Sequence, residues 1–283
     1  MQNLDLREFS SSTIAIIAPH MDDEALACGG LITLLPNKEH IHILYATDGM
    51  KSPAPIIAGR DEISNDLGKI RMQESINAMT LLGVPEKNLH FICLPEAELQ
   101  SHFSSLRERV REQLKRIAPQ YVFVPFRYDR HPDHLAVNHV VVSDIEEGIL
   151  RTQLIEYFVY YRWRLMPKRD IRKYIKPESL FQLNIGEVAG LKRKSLDCFT
   201  SQTTIYYSWQ TRPILTPALL DEESQNPEYF LIAPTSLSGT AVFSGPVPWI
   251  RLAHRLEPLL MKWKYLTGAL LIRIFQKRVP RSN

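Results

Sequence analysis

Short apolar runs recur through the first half of the chain, and each is followed by a stretch with apolar residues at helical spacing. Residues 13–18 (TIAIIA), 41–47 (IHILYAT), 89–94 and 121–125 (YVFVP) are brief, apolar and rich in β-branched or aromatic residues. That pattern predicts buried strands. Between and after them, 24–35, 68–82, 106–117 and 135–149 predict helices, the first with two glycines inside it. Strand and helix alternate with short connections, which predicts an α/β fold: a mostly parallel sheet with helices on both faces. In such sheets chemistry gathers just past the carboxyl ends of the strands. Two loops stand there, 19–24 and 127–134.

The second half is less regular. Residues 154–161 predict an aromatic strand, 177–181 a linker, 187–199 a helix, and 221–228 a polar loop. Pro246 and Pro248 then punctuate the chain. The expected organisation is a body over 1–245 and a basic helical tail over 246–283.

Composition narrows the class. The chain has 283 residues, of which 45% are hydrophobic and 23% charged, which excludes a disordered or collagen-like protein. The net charge of +3 argues against a protein built mainly to grip nucleic acid, so no nucleic-acid partner is expected. That total hides segregation. Residues 151–176 carry eight basic residues against two acidic, and 249–283 carry eight against one. The first of these segments mixes its cations with Tyr157, Tyr160, Tyr161, Trp163 and Tyr174, and reads as a solvated aromatic strand or as the wall of a substrate cleft. In the second, Leu259, Leu260, Trp263, Leu266, Leu270, Leu271 and Ile274 follow helical spacing. Such a helix packs on its own domain or on a second copy of the chain, or lies on an anionic membrane surface. Cys28, Cys93 and Cys198 form no CxxC pair, which fits a reducing compartment. Residues 1–12 lack the features of a signal peptide, and no run approaches the roughly 20 apolar residues of a membrane span. A cytoplasmic location follows as the expectation, with peripheral contact at the inner membrane surface through the tail as its variant.

The loop Pro19-His20-Met21-Asp22-Asp23-Glu24 puts one imidazole and three carboxylates directly after a buried strand. Crowded carboxylates repel, and a divalent metal compensates them. Asp22 or Asp23 would alternatively cap the following helix. One acid suffices for a cap, however, and a cap has no need of the histidine. The second loop, Asp129-Arg130-His131-Pro132-Asp133-His134, adds two histidines and two carboxylates, where Asp133 would also serve as a cap. Two His/Asp loops at the same end of parallel strands can converge on one metal, and mixed imidazole and carboxylate donors suit zinc. Arg127 and Arg130 flank the second loop, placed to bind a phosphate or to make surface ion pairs.

These loops resemble the two signature segments of the PIG-L/LmbE-type N-acetylglucosaminyl deacetylases. Further similarity lies in Thr47-Asp48-Gly49, in Arg71-x-x-Glu74 leading to Leu82-Gly83-Val84, in 194–202 (KSLDCFTSQ) and in Glu228-Tyr229-Phe230. The resemblance spans roughly residues 12–232. It implies a Rossmann-like α/β fold and one zinc or other divalent ion per chain, held by His20, Asp23 and His134. It implies that Asp22 is the general base. His131 would stabilise the oxyanion or protonate the leaving amine, and Asp133 would orient His131. Arg71 and Glu96 would contact substrate, with Asp129 and Arg130 as further candidates. Asp129 stands where some members carry a tyrosine, and Met21 where the commonest loop has proline. The implied activity removes the acetyl group from an amino-sugar conjugate, either a small molecule or lipid-linked. Two other readings fit the chain: metal-dependent hydrolysis of another amide or ester, and non-enzymatic binding of membrane or nucleic acid through the basic segments. A homo-oligomer also stays open.

Overall fold

The structure is a computed structural model and describes residues 1–53, 66–232, 242–245 and 247–256. Its strands are β1 (Gln2–Asn3), β2 (Ile14–Ala18), β3 (Ile41–Thr47), β4 (Leu89–Leu94), β5 (Tyr121–Pro125), β6 (Gln153–Tyr157), β7 (Leu180–Leu183) and β8 (Glu228–Leu231). The longer helices are α1 (Asp23–Leu34), α2 (Leu67–Leu81), α3 (Phe103–Ile117), α4 (Pro132–Glu146), α5 (Ala189–Asp197), α6 (Thr200–Thr203) and α7 (Pro217–Gln225). The strands form one sheet in the order β1-β7-β8-β6-β5-β2-β3-β4. β8 runs antiparallel to both neighbours, and every other pairing is parallel.

β2 and β5 are buried along almost their whole length because helices cover both faces of the sheet. One face packs residues such as Ile16, Tyr45, Phe123 and Phe230 against α1, α2 and α5. The other packs Ile17, Leu44, Val122 and Val124 against α3 and α4. The chain leaves β2 toward β3 and β4, then returns to lay β5 and β6 on the opposite side of β2. The order of strands therefore reverses between β2 and β5, and a crevice opens at that switch point.

The second half departs from its sequence pattern. The expected linker contains β7, and the expected polar loop over 221–228 is helix α7 followed by β8. Thr216 caps α7 by accepting from Leu219 N–H, Pro217 takes its first turn, and Leu220 and Ser224 turn inward. The boundary expected near 245 falls inside packed structure. Residues 247–256 are helical, and Ile250 and Ala253 are buried with Trp163, Ile171 and Phe243. The tail from Glu257 onward lies outside the described residues. Among the described residues, no helix is long and apolar enough to cross a membrane.

Candidate active site

The chain beyond β2 carries His20, Asp22 and Asp23, and that beyond β5 carries Asp129, His131 and His134; His20, Asp22, Asp23 and His131 line one crevice, with His134 and Asp129 buried beside it. His20 Nδ1, Asp23 Oδ2 and His134 Nε2 form a triangle in which all three sides measure 3.2 Å. A tetrahedral ion with bonds of about 2.05 Å requires ligand atoms about 3.3 Å apart. The triangle thus has the size of one face of a zinc-like coordination sphere. His131 approaches the same point, since its ring and those of His20 and His134 offer nitrogens within 4.8 Å of one another. Asp23 makes the tighter set.

Both imidazoles in the triangle are held from behind. His20 Nε2 lies 3.1 Å from Asp133 Oδ2, and His134 Nδ1 lies 3.2 Å from Asp129 Oδ2. At His20 the carboxylate on the rear nitrogen takes its N–H and leaves the front lone pair facing the triangle, the usual support for a metal-binding histidine, and at His134 the Asp129 carboxylate lies within ion-pair distance of the rear nitrogen. The charge balance points the same way. Burial disfavours the charged form of His20 and His134, yet the carboxylates around them raise both, His20 to about 9. The cluster needs positive charge at its centre, and a divalent cation supplies it while leaving both lone pairs free to coordinate.

Asp133 differs from its expected role. Its carboxylate serves His20 and accepts from the backbone N–H of Ala97 at 2.7 Å and Leu99 at 3.1 Å. What meets His131 is the backbone N–H of Asp133, which donates to His131 Nδ1 at 3.2 Å, so His131 is the side-chain cap of α4. Nδ1 is then the acceptor and the proton of the neutral ring sits on Nε2. Burial, with the charges of His20 and His134 beside it, lowers His131 to about 3, so the ring is neutral at pH 7.

Asp22 occupies the N-cap position of α1 but makes no capping bond. Its backbone has φ 141°, a region costly for any residue with a side chain. Glu24 secures it: Glu24 Oε2 accepts from Asp22 N–H at 3.1 Å while Oε1 accepts from the Tyr45 hydroxyl at 2.9 Å. Burial pushes the Asp22 carboxyl up to about 7, against the pull of the Arg71 guanidinium 3.8 Å away. Glu24 was the one acid of its loop without a role in the sequence, and its signal there was only its adjacency.

The four expected substrate contacts fare differently. Arg130 lines the crevice and stands over the Tyr160 ring at 6.0 Å. Arg71 and Glu96 reach the crevice wall but are largely engaged with each other and with the chain. Arg71 pairs with Glu96 at 3.1 Å and donates to Met21 O at 3.0 Å, and Glu96 also accepts from Lys51 N–H. Asp129 is fully buried behind His134 and also accepts from His131 N–H at 2.8 Å, so it supports the site from within and does not face substrate. Arg127 is consumed by Glu156, to which its backbone and side chain both donate. The cleft-wall reading of 151–176 corresponds to Tyr160, Tyr161 and Arg162, which line the cavity. The opposite wall, Trp209 to Leu215, carries no sequence motif.

An α/β sheet with a His-Asp-His triangle at its switch point, and a further buried carboxylate beside it, is an arrangement suited to holding a divalent ion and taking a proton from water. The model of the GlcNAc-PI de-N-acetylase family, PIG-L, matches residues 15–145. A probable N-acetyl-α-D-glucosaminyl L-malate deacetylase 2 of Bacillus subtilis (strain 168) is 27% identical over 205 residues, covering 67% of this chain and 83% of that protein. Among solved structures, the N,N'-diacetylchitobiose deacetylase of Pyrococcus horikoshii aligns with a TM-score of 0.56 at 21% identity, covering 82% of this chain and 88% of that one. The conserved protein TT1542 of Thermus thermophilus also aligns at 0.56, with 20% identity over 80% of this chain and 96% of its own. Over residues 15–145 the chain is thus similar to the PIG-L family, and its fold is that of these solved structures.

Proposed function

We propose that the protein is a zinc-dependent N-deacetylase that hydrolyses the acetamido group of an N-acetylglucosaminyl conjugate, releasing acetate and a free amine. The match to the PIG-L family model and the activity printed for the Bacillus subtilis relative support the reaction class. The observation that carries the chemistry is the 3.2 Å triangle of His20, Asp23 and His134. These three residues would hold the ion, steadied by Asp133 and Asp129. A divalent cation in that position supplies Lewis acidity, which acidifies water and polarises the amide carbonyl.

The remaining steps belong to the side chains. Asp22, with a carboxyl tuned near neutrality, takes a proton from the attacking water. Neutral His131 presents Nε2–H as a donor where negative charge develops on the carbonyl oxygen. The C–N bond then breaks, and protonated Asp22 returns its proton to the departing nitrogen. Arg71 keeps Glu96 ionised and favours the carboxylate form of Asp22 that the base requires. His131 is assigned to the oxyanion because the Asp133 N–H on Nδ1 leaves the proton of the neutral ring on Nε2.

The test is amine release from a panel of N-acetylglucosaminyl compounds with and without a chelator. Activity is expected to fall at least tenfold on chelation and to return with one equivalent of Zn2+ per chain. Full activity in metal-free protein would overturn the reading, as would release of no amine from any member of the panel by zinc-loaded protein.

A further inference from the structure

The cavity at the proposed metal centre has a volume of about 820 Å³ and continues past the triangle between two walls. Cavities that hold drug-sized ligands span about 300–1,000 Å³, so this one has room beyond a single sugar ring. The first wall follows β6 and includes Phe158, Tyr160 and Arg162. The second is the loop carrying Trp209, Arg212 and Leu215.

We propose that this outer lobe is a subsite for an aglycone that joins an apolar body to a terminal anion, a carboxylate or a phosphate. The inference rests on the deacetylase reading and names the part of the substrate that reading leaves open.

Its inner surface is apolar. Leu26, Phe158 and Leu215 are nearly buried there, and Leu219 and Ile214 continue the surface toward the mouth. Trp209 stacks on Tyr207 with ring centroids 5.4 Å apart and planes 11° apart, which makes it a rigid flat platform. Such a lining rewards contact with hydrocarbon or an aromatic ring.

Its charge is lopsided. The acids at the reacting end are matched: Glu96 and Asp22 by Arg71, and Asp23 by the histidines. In the outer lobe the acid is Glu223, whose carboxylate accepts from the Tyr161 hydroxyl at 3.0 Å and whose pKa burial pushes up. Against it stand three guanidinium groups. Arg162 pairs with Glu222 and lies 5.6 Å from the Tyr161 ring centre, and Arg130 stands over Tyr160. Arg212 is exposed at the cavity and has no ion-pair partner among the described residues. Guanidinium is the side chain best shaped for carboxylate and phosphate. Gln210 and Thr211 lie in the same lining and can meet hydroxyl groups, whereas the guanidinium groups are suited to an anion.

Four N-acetylglucosaminides serve as probes: methyl, octyl, ω-carboxyoctyl and ω-phosphooctyl. The kcat/KM is expected to rise about tenfold from methyl to octyl, and about tenfold again on adding either anion. The carboxylate and phosphate arms show which anion the lobe prefers. Arg212→Glu is expected to abolish the anion increment, and Trp209→Ala to reduce the apolar one. Because Arg212 is exposed, its exchange leaves folding intact even where loss of Trp209 does not. Titration calorimetry with the deacetylated amines of the same four compounds gives a second readout that needs no turnover. Equal kcat/KM across a panel that is deacetylated would overturn the subsite and leave the deacetylase reading standing. If no compound is deacetylated, but the anionic octyl amines bind tenfold tighter than the methyl amine and Arg212→Glu removes the difference, the subsite stands and the reaction fails. Equal binding of all four amines overturns the subsite in either case.

Discussion

Asp22→Asn is expected to lower kcat by about 10²–10⁴-fold while leaving metal content unchanged, the scale set by losing a positioned general base. The substitution isolates that role for three reasons. Asparagine keeps the shape of aspartate and is among the residues that best tolerate positive φ, so the 141° backbone is not disturbed further. Asp22 stands outside the 3.2 Å triangle, so the proposed ligands stay intact. The backbone bond from Asp22 to Glu24 is also retained. The pH profile supplies the sign. A base works only when deprotonated, and burial places this carboxyl near 7 without a cation. Activity should therefore fall as pH drops through an acidic limb at or below about pH 7, since a bound cation favours the carboxylate. The variant should lack this limb. Turnover at the parental rate, or an acidic limb surviving in Asp22→Asn, would move the base to another residue.

Lys192→Ala is expected to cost about 3–5 kcal/mol of stability, a fall in Tm on the order of 10 °C in a chain of this size. Lys192 is completely buried and donates to Glu228 at 2.8 Å and to the carbonyl of Leu26 at 2.7 Å. Glu228 in turn accepts from the backbone N–H of Gly30 at 2.6 Å and of Leu31 at 2.8 Å. Leu26 O is the acceptor Gly30 would use in an undisturbed α-helix, so the pair is wedged against the middle of α1. Only glycine fits at position 30, because a Cβ there would lie 2.9 Å from the Cβ of Ile185 and 3.0 Å from Glu228 Oε1. Removing the ammonium leaves a carboxylate uncompensated inside the protein, and it loosens the contact among α1, α5 and β8. Urea unfolding of metal-free protein measures the loss. A cost below about 1 kcal/mol would mean that the cavity hydrates or that Glu228 is neutral.

The same pair shows where sequence reading reaches its limit. The two glycines inside the first predicted helix were visible, but their reasons lie far along the chain, in Lys192 beside Gly29 and in Ile185 and Glu228 beside Gly30. β2, β3 and β5 were legible because each is a short apolar run sealed on both faces, a pattern that needs no knowledge of its partner, and β4 because its run is short and mostly apolar even at the sheet edge. β7 (LFQL) and β8 (EYFL) are only four residues long, and they become strands by pairing with each other and, for β8, with β6. β1 has two residues and exists through its pairing with β7. The site divides in the same manner. His20, Asp23 and His134 could be read from two loops at strand ends. The supporting pairs could not, because proximity in sequence misleads: Asp133 lies two residues from His131 but turns to His20, 113 positions away. Tyr160 was visible as one aromatic residue among several, whereas Trp209 and Arg212 sit in an irregular stretch whose place is set by tertiary contacts.

Those contacts separate two tasks. The proposed metal ligands stand on loops that leave the ends of β2 and β5, whereas the outer wall of the cavity belongs to the connection between α6 and α7. That connection is pinned at its ends, by the hydroxyls of Thr200 and Ser201 on Glu74 and by Leu215 N–H on Gln202 O. Between the pins, the segment through Trp209 and Arg212 takes no part in the sheet. Substitutions there can accumulate without moving a metal ligand or the base, so this stretch is where a lineage could exchange one conjugate for another while inheriting its chemistry unchanged.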